Sequence, residues 1–508
     1  MDISLKYEDF KILVTDKDNS VEETVEAELS LPEYMPEILR VIKVSAEPQI
    51  VSCRLVGERV TVDGACRLLM IYTAEDGCIY SFSQTRQFTR HCEKTEFTDA
   101  IDWNANARVS YVNFRATGTK KAEIKAGINI QFNVYTQLVQ QVLSIPAECK
   151  VEKKESHIEA FSLGCKKTKN FSMSDTVSLG TPAAYILGTR ATAVITEIKK
   201  INNKLMLRGE AVGEISYVNS DNRAVVEHLI HSVPINQIVE VEGLEEHFEG
   251  SVTLSVNAFD VLPKGEHGSF ITAVDLSFGI DACVTMWERK NYSIISDAYC
   301  TETPVKLEKK ENKFLDSLCE IKDTYICDNT FTVSGEGVDS VVDSSGEISN
   351  LKISCKDGDL LLEGDLSVSL VIKDTASSFI ELKKIFEFGY QKHIGVFQDS
   401  VYCEPQVSVL SVKCSAKNQN TIDVRGELLI SGSVCGEVLI NSVSQITEVD
   451  EPLHKPRLPV TVYFPEREEE SLWDIARRYN TTVTAIAEEN VLSGDTTEKL
   501  KVLFIPSA

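Results

Sequence analysis

The feature that most constrains the fold of this chain is a strand-like phrase that occurs three times. It reads VTVDGACRLLMIYT at residues 60–73, LMLRGEAVGEISYV at 205–218 and LLLEGDLSVSLVI at 360–372. In the third copy, Leu, Val and Ile residues alternate with Glu, Asp and Ser residues, and a period of two indicates a strand with one buried face. Each copy therefore predicts one half-buried β-strand.

A glycine at the same place in each copy sets the length of the repeat. It occupies positions 64, 209 and 364, so neighbouring copies lie 145 and 155 residues apart, and this spacing is the size of a domain. A second pair of phrases, VEKKES and LEKKEN, begins 58 and 57 residues before the second and third glycines. We therefore expect three consecutive domains, at residues 1–150, 151–306 and 307–448.

Each of these domains is predicted to be mainly β. Further strand-like phrases follow the glycine strand, namely GINIQFNVYTQLVQQVLSI at 127–145, SFITAVDLSFGIDACVTMW at 269–287 and IDVRGELLISGSVCGEVLI at 422–440. Short turn signals such as AEDG and NSDN lie between strands and are typical of antiparallel hairpins. We predict that each domain is an antiparallel β-sandwich or a barrel-like sheet.

The end of the chain follows a different pattern. Three prolines favour an extended linker at residues 449–459, and residues 460–508 then read as strand, helix, helix and strand. Ser471 and Asp474 form a capping box that starts the first helix. The apolar residues of that helix follow the spacing of one buried stripe: Leu472, Ile475, Ala476 and Tyr479.

Both parts of the chain resemble known domains. The terminal module resembles a LysM domain in SLWDIARRYN at 471–480, the following TTV, Asn490 and the closing LFIP. This resemblance implies a βααβ fold, which in most members binds N-acetylglucosamine chains of peptidoglycan or chitin. The three upstream domains resemble the SPOCS domain of spore-coat-associated proteins, through LPEYMPEILRV at 31–41 and the glycine-strand phrases.

The order of the domains resembles a family of clostridial spore morphogenesis proteins. That resemblance implies a non-enzymatic scaffold in the mother-cell cytosol, at the forespore surface. Its LysM domain is expected to dock onto the coat-basement ATPase, stage-four sporulation protein A. The sequence MDISLKYEDF lacks the basic and apolar regions of a secretory signal, which favours a cytoplasmic location. The alternative is a protein that binds peptidoglycan of the cell wall or spore cortex.

The charge of the chain limits its partners. The formal net charge is −25, whereas nucleic-acid binding and adsorption to anionic lipid both depend on Lys and Arg. We therefore expect no nucleic-acid partner and only indirect membrane contact. Glu469, Glu470 and Ser471 stand where most LysM domains carry Gly-Asp-Thr, and residues 499–501 lack the usual glycine. These departures favour a protein partner over a glycan, with self-association left open.

The predicted partner-binding face surrounds the first helix of the terminal module. Trp473 lies at the edge of the buried stripe, so it either shields the core or anchors a partner as a half-exposed aromatic ring. The glutamates at 466, 468, 469 and 470 are either solvated loop charges or a rim that meets a basic patch. The residues that we assign to this face are Glu470, Ser471, Trp473, Arg477, Asn490 and Leu492.

No pattern in the sequence indicates catalysis. His228 and His231 are three residues apart in a strand-like phrase, so their rings point to opposite faces and are read as ordinary histidines. The His91-Cys92-Glu93 side chains also point apart. The chain lacks a P-loop and a Cys-x-x-Cys pair. We expect no enzymatic activity, no metal and no cofactor, and we expect the fourteen cysteines to be reduced thiols.

Overall fold

The computed structural model describes residues 5–145, 151–223, 225–265, 270–395, 400–403, 405–449, 459–464, 470–492 and 502–507. The predicted linker at 449–459 falls almost entirely outside these ranges. Glu466, Glu468 and Glu469, and residues 499–501, also lie outside them. Within the described part of the chain, no helix has the length and apolar character that a membrane crossing requires.

The first repeat consists of two antiparallel sheets. Its first strand and its last two strands form one sheet, with the order β1-β6-β5, and the three central strands form the other, with the order β2-β3-β4. The strands are β1 (Lys6–Ser30), β2 (Arg40–Val56), β3 (Arg59–Thr73), β4 (Ile79–Glu93), β5 (Ala100–Gly118) and β6 (Lys121–Ser144).

The second repeat has the same arrangement, but one long strand joins its two sheets. The first part of this strand pairs with the last strand of the repeat, and the part from Ala183 onward pairs with the glycine strand. The strands are β7 (Val151–Ile201), β8 (Lys204–Asn219), β9 (Val226–Glu240), β10 (Glu249–Lys264) and β11 (Ile271–Cys300). Their order is β10-β11-β7-β8-β9, so β7 takes the places of both β1 and β2.

The third repeat returns to the two-sheet order of the first. Its sheets are β13-β14-β15 and β12-β18, with both β16 and β17 paired to β18. The strands are β12 (Val305–Thr332), β13 (Val338–Lys356), β14 (Asp359–Asp374), β15 (Phe379–His393), β16 (Ser400–Cys403), β17 (Gln406–Asn418) and β18 (Thr421–Glu448).

The repeated glycine phrase forms β3, β8 and β14, and in every repeat this strand pairs with a neighbour on each side. Its apolar face packs against the other sheet of the same repeat, as Leu68 of β3 and Phe132 of β6 do in one buried cluster. Equivalent clusters fill the second and third repeats. The prediction of mainly antiparallel β repeats is confirmed.

The shared glycine is needed because a neighbouring group lies directly beside it. A side chain at Gly209 would collide with the carbonyl oxygen of Val194 on β7, and one at Gly64 would collide with the ring of Phe88. These are close approaches between neighbouring strands, which suit glycine inside a strand.

Replacing Gly209 by alanine is expected to lower the free energy of unfolding by about 1–3 kcal/mol, because the backbone of β7 must move to make room. Denaturant unfolding of the whole chain measures this loss. Gly180→Ala is the matched control, since Gly180 lies on β7, the neighbour of β8, and a Cβ added there would have no neighbouring atom within 4 Å. An equal loss in both variants would show that the close approach at Gly209 is not what selects glycine.

The three repeats pack around a common axis. Two buried clusters each include a set of three equivalent residues, one from every repeat, at positions 152 and 148 residues apart. These triplets are Tyr135, Trp287 and Cys435, and Leu143, Ile295 and Val443. Because equivalent residues meet in this way, the repeats have a pseudo-threefold arrangement.

Charge breaks this pseudo-symmetry at one set of equivalent positions. Lys43, Gly188 and Asp343 have the same spacing as the shared glycines, and Lys43 Nζ lies 3.3 Å from a carboxylate oxygen of Asp343. Arg190 donates a hydrogen bond to the other oxygen. Burial alone would raise the pKa of Asp343, but Arg190 and Lys43 outweigh it, so the net shift of that pKa is downward. This buried ion cluster draws on all three repeats and requires them to differ at this point.

Candidate partner-binding site

The terminal module has the predicted βααβ fold. β19 (Val460–Tyr463) pairs antiparallel with β20 (Leu503–Pro506), and two short helices, α1 (Leu472–Tyr479) and α2 (Val483–Glu489), complete it. Ser471 caps α1 by accepting a hydrogen bond from the backbone N–H of Asp474, at 3.2 Å. The side chains at 472, 475 and 476 are buried, as their helical spacing predicts. The sequence therefore locates this helix and its inward face correctly.

Trp473 lies at a junction between the LysM module and the second repeat. Its Nε1 donates a hydrogen bond of 2.9 Å to Oδ2 of Asp297, near the end of β11. Its ring meets the ring of Tyr299 edge to face, with 4.9 Å between centroids. The ring is partly buried, and the helical pattern did not predict that its neighbour is a residue of the same chain.

Arg477 contacts the same carboxylate. Its Nη1 lies 2.7 Å from Oδ2 of Asp297, and its side chain is 50% exposed whereas that of Asp297 is 16% exposed. Lys309 approaches the other oxygen at 4.0 Å. The structure thus brings together two of the predicted face residues, Trp473 and Arg477, on one acidic side chain of the second repeat.

Tyr299 is the deepest element of this contact. It is 5% exposed and belongs to the same buried cluster as Leu472 and Ile475 of α1. Its hydroxyl donates a buried hydrogen bond of 2.8 Å to the carbonyl oxygen of Thr481. Burial is the main cause of a raised pKa at Tyr299. A residue of the second repeat therefore completes the core of the LysM module.

We refer to Asp297, Tyr299, Trp473, Arg477 and Thr481 as the LysM junction. A comparison of the three repeats shows one sequence difference that marks the position of this junction. At the separations of 152 and 148 residues, Asp297 corresponds to Ile145 and Gln445, and Tyr299 corresponds to Ala147 and Thr447. The second repeat thus carries an acid and an aromatic ring where its sister repeats carry neither.

Glu470 has its contacts within the module. It accepts a hydrogen bond of 2.7 Å from the hydroxyl of Tyr463 and one of 2.9 Å from Arg478. The hydrogen bond from Tyr463 to Glu470 raises the pKa of Tyr463. These contacts tie the start of α1 to the first strand of the module. The other glutamates of the predicted acidic rim lie outside the described residues.

Asn490 and Leu492 also make contacts inside the module. Asn490 Nδ2 donates to the carbonyl oxygen of Phe504 at 2.6 Å, and its Oδ1 accepts from the N–H of Phe504 at 2.7 Å. Leu492 packs against the module core. Asn490 thus connects the end of α2 to β20. A role for these two residues in partner binding stays a prediction.

The two histidines of the second repeat have different surroundings. His231 Nε2 lies 2.8 Å from Asp175, whereas burial lowers the pKa of His228, which lies near Asp343. Among the residues that the structure describes, no group of three or more His, Cys, Asp or Glu side chains is arranged to hold a metal ion. Cys66 is a buried thiol whose pKa burial raises to about 12.

Comparison with known families gives matches in both parts of the chain. A family model described as SipL, SPOCS domain, matches residues 37–117 and 182–262, in the first and second repeats, and a LysM model matches residues 467–502. Comparisons with curated proteins and with solved structures gave no significant match. The chain is therefore SipL-like, with SPOCS domains followed by a C-terminal LysM domain.

Proposed function

We propose that this protein is a non-enzymatic adaptor of spore-envelope assembly, which works at the forespore surface in the mother-cell cytosol. Its LysM domain docks onto the coat-basement ATPase, stage-four sporulation protein A. The SPOCS matches fit a sporulation-related protein, and SPOCS and LysM domains are generally non-catalytic. The formal net charge of −25 is consistent with a protein partner whose surface carries basic groups.

The observation that carries the docking proposal is that the Trp473 face of the LysM domain already binds protein groups. In the LysM junction, a tryptophan and an arginine converge on one carboxylate, and an aromatic ring packs against the tryptophan. Trp, Tyr and Arg are the residues enriched at interface hot spots. A partner segment that carries an acidic residue beside an aromatic ring would fit the same face.

This placement makes the second repeat a competitor for the partner. Asp297 and Tyr299 occupy the Trp473 face, so a partner that uses this face binds only after the junction opens. The apparent affinity is then the intrinsic affinity multiplied by the fraction of molecules with an open junction. The stability of the junction therefore determines how far the apparent affinity for the partner falls below the intrinsic affinity.

The LysM match itself favours the second candidate, binding of peptidoglycan. In that case the ligand is a chain of N-acetylglucosamine units, and the protein belongs to the cell wall or the spore cortex. The two candidates are distinguished by the sequence changes at residues 469–470 and 499–501, and of these residues the structure describes Glu470.

The full-length chain should be tested for retention by the sporulation ATPase and by insoluble peptidoglycan. The isolated module is unsuitable because Tyr299 contributes to its core. We expect retention by the ATPase, and we expect Trp473→Glu to weaken it about 30-fold, the loss typical of a hot-spot residue. Tyr34→Glu is the control, because Tyr34 is 87% exposed in the first repeat. Retention by peptidoglycan without retention by the ATPase would overturn the proposal.

A further inference from the structure

A groove of about 950 Å³, which we call the aromatic groove, lies at the boundary between the first and second repeats. It is lined by Tyr80 and Phe82 of β4, by Tyr185 of β7, and by Phe270, which directly precedes β11. The hydroxyl of Tyr185 donates a hydrogen bond to the carbonyl oxygen of Ile79, so the two repeats are joined beside the groove. Aromatic side chains from both repeats therefore meet in one groove.

The rings in the aromatic groove form a rigid surface. Tyr80 stacks between Tyr72 and Tyr185, with 5.7 Å and 5.2 Å between ring centroids. Phe270 is 47% exposed, so part of its ring is open to a ligand. Fixed aromatic rings offer a large contact area at a low cost in conformational entropy, and proline-rich segments dock in grooves that such rings line. The lining therefore favours an extended segment of protein that contains proline.

The arginines of the aromatic groove already have partners within the protein. Arg67 Nε lies 2.8 Å from a carboxylate oxygen of Glu47. Arg223 donates a hydrogen bond of 3.4 Å to the hydroxyl of Tyr80, which itself donates to Asp76. These pairings do not favour an anionic ligand, and they leave the aromatic rings as the main surface for contact with a ligand.

The chain itself carries a proline segment of the kind that fits such a groove. The predicted linker ends with the sequence PLHKPRLP, in which Pro456 and Pro459 have the P-x-x-P spacing of segments that bind aromatic grooves as a polyproline II helix. Lys455 and Arg457 make this segment basic, and the exposed Glu33 in the lining of the groove has the opposite charge. Both the spacing of the prolines and the charge of the segment thus fit the groove.

The linker of the same chain is too short to reach the aromatic groove. Ile271 lines the groove at the start of β11, and Tyr299 contacts the LysM module near the end of β11, about 90 Å farther along the strand. The linker starts beside that far end, where the N–H of Val449 donates a hydrogen bond of 2.9 Å to the carbonyl oxygen of Pro304. Residues 449–459 span at most about 40 Å, even with the LysM module released. A linker in the groove must therefore come from another molecule.

We propose that the aromatic groove binds the proline linker of a second copy of this chain. The rings of Tyr80, Phe82, Tyr185 and Phe270 contact the linker prolines, and the contact joins copies of the chain. Because the groove and the linker are different surfaces, the contact is heterologous: it extends copies into a row, or closes a pair when two copies exchange linkers. The groove is separate from the LysM junction, and this proposal does not depend on docking to the ATPase.

The first test measures binding of a fluorescent peptide of residues 450–460 to the full chain by anisotropy. We expect saturable binding, and we expect a peptide with both Pro456→Ala and Pro459→Ala to bind at least tenfold more weakly. Phe270→Ser in the chain should weaken binding of the parent peptide about tenfold, because it removes an exposed ring of the groove. Ile385→Ser is the matched control, since Ile385 is 68% exposed in the third repeat, and it should bind like the parent chain.

The second test follows self-association of the full chain by sedimentation velocity over a range of concentrations. The average mass should rise with concentration in the parent chain and in Ile385→Ser. The chain with both linker prolines replaced by alanine, and Phe270→Ser, should each need at least tenfold higher concentration for the same mass. The alanine peptide leaves the chain unaltered, so its weaker binding tests the groove even if Phe270 contributes to folding. The proposal is overturned if the parent peptide does not bind saturably, if the alanine peptide binds equally well, or if the chain without the two linker prolines sediments like the parent chain at every concentration.

Discussion

Replacing Tyr299 by alanine is expected to detach the LysM module from the second repeat. The ring is 5% exposed, it packs with the buried residues of α1, and its hydroxyl bonds the backbone at Thr481. Truncating a large buried aromatic side chain costs about 3–5 kcal/mol, and here the loss falls on the module and its contact with β11. The sandwich repeats should keep their own stability, because Tyr299 is not part of the core cluster of the second repeat.

Amide hydrogen exchange measures this effect by region. In the Tyr299→Ala chain, the amides of α1 and α2 should exchange faster by about two orders of magnitude, while those of β3, β8 and β14 should keep the rates of the parent chain. Tyr34→Ala removes an exposed tyrosine from the first repeat and should change neither group. Unchanged exchange in α1 would contradict the view that Tyr299 completes the module core.

Replacing Asp343 by asparagine is expected to cost about 3–5 kcal/mol, because it removes one partner of a buried ion cluster and leaves Lys43 and Arg190 without their carboxylate. The side chains of Lys43 and Asp343 are 9% and 6% exposed. Denaturant unfolding gives the loss. Asp328→Asn is the matched control, since its ion pair with Arg425 is exposed and should be worth less than about 1 kcal/mol.

The pH dependence of the free energy of unfolding, measured for the parent chain and for Asp343→Asn, provides a second test of the role of Asp343. The pKa of this carboxyl is lowered in the folded state, so its contribution to stability is present above the unfolded pKa, about 3.9, and is lost as the pH falls through the folded pKa. The difference in the free energy of unfolding between the parent chain and Asp343→Asn should therefore reach its full value at neutral pH and become smaller in acid. A difference that stays constant on acidification would show that the carboxylate charge is not the source of the loss.

The architecture of each repeat could be predicted from sequence because it rests on local patterns. Alternation with a period of two identifies β3, β8 and β14, and the glycine at 64, 209 and 364 fixes the length of the repeat. In contrast, the continuous strand β7 and the packing of three repeats around one axis depend on contacts between residues that are more than about a hundred positions apart. A pattern within one strand carries no information on which surface of another repeat it meets.

In the candidate site, too, the features that rest on local patterns could be predicted and those that depend on long-range contacts could not. The capping role of Ser471 and the inward face of α1 follow from helix periodicity, and the structure confirms both. The helical spacing places Trp473 at the edge of that face, where shielding and partner binding are equally compatible with the sequence. Its contact with Asp297 depends on tertiary packing and could not be inferred from the helix alone. The functional role of Trp473 and Arg477 in binding another protein stays a prediction.

The affinity of the full-length chain for the sporulation ATPase, measured for Asp297→Asn beside Trp473→Ala, tests the central claim most directly. Asp297→Asn weakens the junction without altering the LysM domain, because it replaces the carboxylate that Trp473 and Arg477 share. If the partner uses the Trp473 face, Asp297→Asn should bind the ATPase more tightly than the parent chain, and Trp473→Ala should bind it about 30-fold more weakly. Weaker binding by Asp297→Asn, or parental affinity in Trp473→Ala, would contradict the claim that the second repeat and the partner compete for one face of the LysM domain.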